Sequence, residues 1–129
     1  MRVFRGGEQD SAIERLVRAM RLSPLDPFMS QMQTGIGFAH FLAGRHEEAS
    51  AWAEKAFREN RQNLGALRIM AASNVLAGRL EESRNAIARV LELDPDMRLS
   101  NLNDRISKFG RADDLEKYEG ALRLAGLPE

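Results

Sequence analysis

The sequence has no cysteine. That excludes disulfide staples, thiolate zinc sites and a cysteine nucleophile together, and it suits a reducing compartment. Histidine is nearly as scarce, with only His40 and His46, six residues apart across a break at Gly44. A metal pair on a helix needs spacings of three or four, so the expected reading is one packed histidine and one exposed at a turn. With so few histidines no Ser-His-Asp constellation can be assembled. Net charge is also missing, because nineteen basic residues balance nineteen acidic ones. A domain that lives on phosphate contacts normally shows a basic excess or stripe, so nucleic acid is not an expected partner. No apolar run approaches the ~20 residues needed to span a bilayer. The opening Met1-Arg2-Val3-Phe4-Arg5 lacks the apolar core of a secretory signal. Membrane insertion is therefore not expected, and the location expected is cytoplasmic. Nothing suggests a cofactor.

What is present is a repeat. The 129 residues, 43% hydrophobic and 29% charged, suit one soluble domain. Within them Leu42-Ala43-Gly44-Arg45-His46-Glu47-Glu48-Ala49-Ser50 recurs as Leu76-Ala77-Gly78-Arg79-Leu80-Glu81-Glu82-Ser83-Arg84, an offset of 34 residues. A weaker copy stands upstream at Gly7-Glu8-Gln9-Asp10-Ser11-Ala12, and its continuation from Ala19 aligns with Ala56 at an offset of 37. The extra residues fall in the Leu25-Asp26-Pro27 connection, where insertion costs little.

Each piece of punctuation has a physical meaning. Gly44 and Gly78 suit the left-handed position that ends a helix. The acidic pairs Glu47-Glu48 and Glu81-Glu82 then enter the first turn of the next helix, where the macrodipole favours negative charge. Asp26-Pro27 and Asp94-Pro95 read as N-cap followed by proline at the first helical position. The chain thus alternates helix, tight turn, helix and short loop, with helices predicted at 8–22, 27–43, 46–60, 63–77, 80–93, 96–108 and 112–125. Periodicity agrees: Ala49, Trp52, Ala53, Ala56 and Phe57 share one face, as do Leu80, Ile87, Val90 and Leu91. Gly37 against Ala49, and Ala71 against Ser83, predict close crossings of small residue on small residue.

On these residues the chain resembles a tetratricopeptide array, whose period is 34. The resemblance implies an all-α fold of antiparallel helix-hairpin repeats, stacked as a short superhelix with a C-terminal capping pair. A half unit at 7–24 would precede full units at about 30–61 and 64–95, with capping helices over 96–126. The sequence departs from the family pattern at His40 and Asn74, where tyrosine is usual, and at Arg61, where proline is. A second resemblance lies in Gly120-Ala121-Leu122-Arg123-Leu124-Ala125-Gly126-Leu127-Pro128-Glu129 and in Arg21-Leu22-Ser23-Pro24-Leu25-Asp26-Pro27. These are similar to repeat arrays that follow the catalytic domains of bacterial class III adenylate or guanylate cyclases. That similarity implies the C-terminal regulatory part of a signalling protein whose catalytic domain is not in this chain.

The chain itself therefore reads as non-catalytic. By resemblance, its first helices line a concave groove that binds a protein or peptide segment, or another domain of the same protein. The register puts Gln31, Thr34, Gly35, Phe38, Phe41 and Leu42 in that row from one unit, and Gly65, Arg68, Ile69, Ala72 and Val75 from the next. Chaperone-binding members grip a peptide carboxylate with lysine and asparagine where Thr34 and Phe38 stand here, so that specificity is not expected. The alternative is a small-molecule effector domain using the groove as a closed apolar pocket of a few hundred Å³. Gly35-Ile36-Gly37 lies in a helical pattern and so is no phosphate loop; Gly35 reads as an open spot in the groove. Asp113, Asp114 and Glu116 read as first-turn dipole partners on a solvated face. In the first helix Ala12, Leu16 and Ala19 form a stripe with no preceding helix to meet beyond the Gly6-Gly7 turn. Weak homodimerisation is expected to cover it; the alternatives are the Val3-Phe4 segment or nothing.

Overall fold

The computed structural model describes the backbone of residues 3–102 and 112–129, and the side chains of 7–102 and 114–129. The helices are α1 (Val3–Leu22), α2 (Met29–Leu42), α3 (His46–Glu59), α4 (Leu64–Leu76), α5 (Leu80–Leu93) and α6 (Ala112–Ala125), with a 3₁₀ turn at Leu99–Asn101. No strand occurs among the described residues.

The turns follow from the duplicated block. Gly44 and Gly78 both have positive φ, 84° and 86°, a conformation that costs glycine nothing because it has no Cβ. After each, the chain closes the helix with the same pair of bonds. Gly44 N donates to Phe41 O and Arg45 N to His40 O, as Gly78 N does to Val75 O and Arg79 N to Asn74 O. This is the Schellman pattern, which satisfies the last carbonyls of the helix. Gly126 repeats it at the end of α6, with φ 107° and Leu127 N bonded to Leu122 O.

Small residues then set how tightly each hairpin closes. A Cβ on Gly37 would lie 3.1 Å from Ala49 O and 3.4 Å from Ala53 N, so α2 and α3 touch backbone to backbone. In the next hairpin Ser83 Oγ donates to Ala71 O at 2.8 Å. The expected Gly37–Ala49 and Ala71–Ser83 crossings are both present. Stacking between hairpins is tied by asparagine and arginine. Asn63 caps α4 through Ala66 N and also donates to Ser30 Oγ and Thr34 Oγ1 of α2. Arg45 donates through Nε to His40 Nδ1 and pairs at 2.7 Å with Asp10 of α1. Arg79 does the same one unit on, to Asn74 Oδ1 and, at 3.7 Å, to Glu47. These exposed pairs are worth little individually. Most of the stacking energy resides in the apolar layer of Phe41, Leu67, Ile69, Ala72, Ala86, Ile87 and Val90.

Several expectations need correcting. Gly6 and Gly7 make no turn: α1 runs through them from Val3, since two glycines cost a helix only about 1 kcal/mol each and do not forbid it. Val3 and Phe4 accordingly begin the same helix and cannot fold back over its later turns. Asp26 caps no helix; its Oδ1 accepts from Phe28 N in a tight turn, and α2 starts at Met29. No helix begins at 96. Met97 N closes a turn onto Asp94 O, and the 3₁₀ turn starts only at Leu99. Most of the expected 96–108 helix lies outside the described residues.

Candidate functional site

The first helices α2 and α4 lie side by side, and their shared face is where a concave groove is expected. Another element already occupies it. Lys117, in the first half of α6, donates to Leu42 O at the C-terminal end of α2. Beyond the other end of α6, Pro128 O accepts from Leu99 N, just past the end of α5. Because α5 returns to the beginning of α4, α6 runs antiparallel to both α2 and α4. It packs mainly on α4 and only lightly on α5.

Tyr118 is the centre of this contact. It is 3% exposed and sits edge-on to two phenylalanines, with ring centroids 5.4 Å from Phe38 and 5.8 Å from Phe41. Phe38 and Phe41 are themselves stacked at 6.3 Å. Separations of this kind suit the ring quadrupoles and add about 0.5–1.5 kcal/mol per pair beyond area burial. Burial pushes the Tyr118 pKa up, with the neighbouring Arg68 guanidinium opposing. Below it, Ala121, Leu122 and Ala125 join the same core cluster as Ala72 and Phe41.

This arrangement changes the standing of the expected groove residues. Phe41 at 0% exposure, Arg68 at 5% and Ala72 at 0% are core residues facing α6, not free groove. Leu42 and Ile69 are buried as well. The helical register places a residue on the concave side, but it does not reveal what covers that side. Gln31 is exposed, and Thr34, Phe38 and Val75 are half-buried. The Thr34 hydroxyl donates to Ser30 O and accepts from Asn63. Gly35 is not an open spot, because a Cβ there would lie 3.0 Å from Leu16 Cδ1. Of the stripe of Ala12, Leu16 and Ala19, Leu16 thus meets Gly35 of α2, and all three side chains are half-buried.

Among the acidic residues, Asp114 is buried, not solvated, while Glu116 is exposed and the Asp113 side chain lies outside the described residues. His46 is not exposed at its turn. It is half-buried, its ring 5.7 Å from Phe41, with a pKa lowered by burial and by Lys117. Among the described residues no group of three or more His, Asp or Glu could hold a metal. No helix of the described residues is long and apolar enough to cross a membrane. A cavity of about 430 Å³ opens beside Asp26, Phe28, Gln31, Glu59 and Asn60. It is an open depression at the end of the row, unlike the closed apolar pocket that an effector site requires.

No family model matches the sequence, and no curated protein matches it. Solved structures do. The first tetratricopeptide domain of Spaghetti (RPAP3), bound to the HSP90 peptide SRMEEVD, is similar at 25% identity and a TM-score of 0.64. The match covers 93% of this chain and 84% of that one. The NMR structure of the first such domain of human RPAP3 is similar at 24% identity and a TM-score of 0.64, covering 95% and 85%. The fold is that of a tetratricopeptide domain. In it α2–α3 and α4–α5 are successive hairpins, and α1 packs on α2. Sequence reading missed Tyr118 and Lys117 as site residues. The signal lay in the spacing of Tyr118, Ala121, Leu122 and Ala125, which marks one apolar helical face.

Proposed function

We propose that this tetratricopeptide domain is a non-catalytic protein-interaction module that binds a helical or extended protein segment along the face of α2 and α4. One observation carries the reading: that face already receives a helix, α6, through an aromatic slot built by Phe38 and Phe41. The peptide-bound state of a similar domain supports it. Thr34 and Phe38 take the positions of the lysine and asparagine that grip carboxylates in chaperone-binding members, so the partner differs from an acidic tail such as SRMEEVD. The finer context is the C-terminal regulatory part of a nucleotide cyclase or similar signalling protein, and it rests on the resemblance of 21–27 and 120–129 alone. Weak self-association through Ala12 and Ala19 belongs to the same proposal, since Leu22 at the end of that helix is 80% exposed.

Photo-crosslinking amino acids placed singly at Gln31 and Phe38, and at Lys55 and Arg84 on the outer helices, test the reading in cells. Adducts with another protein are expected from the first pair. Adducts from Lys55 and Arg84 alone would overturn it.

A further inference from the structure

Helix α6 fills the groove and joins the apolar core there. Its buried face presents Tyr118, then Leu122 four residues on, with Ala121 and Ala125 beside them, Leu115 partly buried before and Leu127 buried just after the helix. The remaining contact with α2 is polar, Lys117 Nζ to Leu42 O at 3.1 Å. Gly120 stands in the middle of this helix, and a Cβ added there would meet nothing within 4 Å. No packing demand explains a residue that weakens a helix. The seat is also incompletely satisfied with α6 in it, because Arg68 Nε is buried without an acceptor. A helix weakened at a free position and leaving a buried donor unpaired beneath it is suited to leaving.

We propose that α6 is a resident occupant of the concave groove that an external helix displaces. The partner is an amphipathic helix carrying an aromatic residue and a leucine four positions apart, with small residues alongside and a basic residue directly before the aromatic. This deepens the interaction-module reading and rests on it. The aromatic enters the slot between Phe38 and Phe41, the leucine takes the place of Leu122, and the basic residue caps the C-terminal carbonyls of α2, where a cation is favoured by the helix dipole. Affinity for such a helix is lowered in proportion to how well α6 competes.

Tyr118 is the single tyrosine of the chain, so 3-fluorotyrosine labelling of the full chain puts one fluorine reporter in the slot. The probe is a synthetic peptide of residues 112–129. Its titration should move the fluorine resonance, saturably, from its buried position to a solvent-like one. Gly120→Ala in the chain should weaken apparent affinity about fivefold, which corresponds to about 1 kcal/mol of helix propensity. Leu124→Gly, at an exposed position of α6, should strengthen it by a similar factor. Circular dichroism establishes that both variants remain folded. Failure of the peptide to bind even Leu124→Gly at millimolar concentration would overturn the proposal. So would binding that leaves the fluorine resonance unmoved and is indifferent to both substitutions. Crosslinks from Gln31 and Phe38 with a static Tyr118 signal would sink displacement while leaving the interaction-module reading intact.

Discussion

Replacing Gly37 with alanine should destabilise the domain, whereas the same change at Gly35, two residues earlier on the same helix, should not. At Gly37 the new methyl meets backbone: Ala49 O at 3.1 Å and Ala53 N at 3.4 Å, with Trp52 Cβ at 3.5 Å. Backbone atoms inside α3 yield only if the two helices move apart, and overpacking of that kind costs about 1–3 kcal/mol. Alanine returns about 1 kcal/mol through helix propensity, so the net loss is about 0–2 kcal/mol. At Gly35 the obstacle is a single methyl, Leu16 Cδ1 at 3.0 Å, on a half-buried side chain. Leu16 can turn aside for about 0.5–1.5 kcal/mol of rotamer cost, which the propensity gain roughly cancels. Leucine at 37 should reach the upper end of the overpacking range. Thermal and urea melts followed by circular dichroism at 222 nm read the difference, at about 3–5 °C per kcal/mol for a chain of this size. If Gly35→Ala lowered the midpoint more than Gly37→Ala, the α2–α3 register described above would be wrong.

The pH dependence should follow the histidines. His40 and His46 both have pKa values lowered below 6.5, chiefly by burial and then by Arg45 and Lys117 respectively. The unfolded chain therefore takes up protons before the folded one, and stability is lost as pH falls from about 6.5 towards the lowered values; urea midpoints at pH 7.5 and 5.0 should show the drop. His40→Asn, which copies Asn74 in the next unit, should keep the bond from Arg45 and remove part of that drop; an unchanged drop would exclude His40 as a source. Tyr118→Phe should keep the ring in its slot yet cost about 1–3 kcal/mol, because the buried Arg68 guanidinium loses the hydroxyl beside it, and a neutral result in urea melts would refute an interaction between the two. Light scattering across a wide concentration range should show weak self-association that Ala19→Glu abolishes, and a native chain that stays monomeric throughout would exclude it.

The hairpins were legible because their determinants are local. A glycine with positive φ, an acidic first turn and small residues at a crossing leave marks at fixed offsets, and four of the predicted helices (46–60, 63–77, 80–93 and 112–125) match within a residue at each end. Helix α6 was legible as a helix but not as the occupant of the groove. No repeat signal extends past Asp94-Pro95, and the direction in which a capping helix lies depends on long-range contacts such as Lys117–Leu42. Phe41, Arg68 and Ala72 are buried rather than open to a groove for that reason. Gly35 was misread because its neighbour, Leu16, comes from the helix one unit earlier.

The reversal of α6 also gives the array a direction of growth. A spliced 34-residue unit between Asn60 and Asn63 would carry its own glycine turn, asparagine cap and arginine latch, and every inter-unit bond would reform in register. A unit grafted after Leu93 would part α5 from α6 and carry α6 away from the face of α2 and α4 that it covers. To an engineer, the domain can be lengthened from within but is sealed at the α6 end until α6 is cut away.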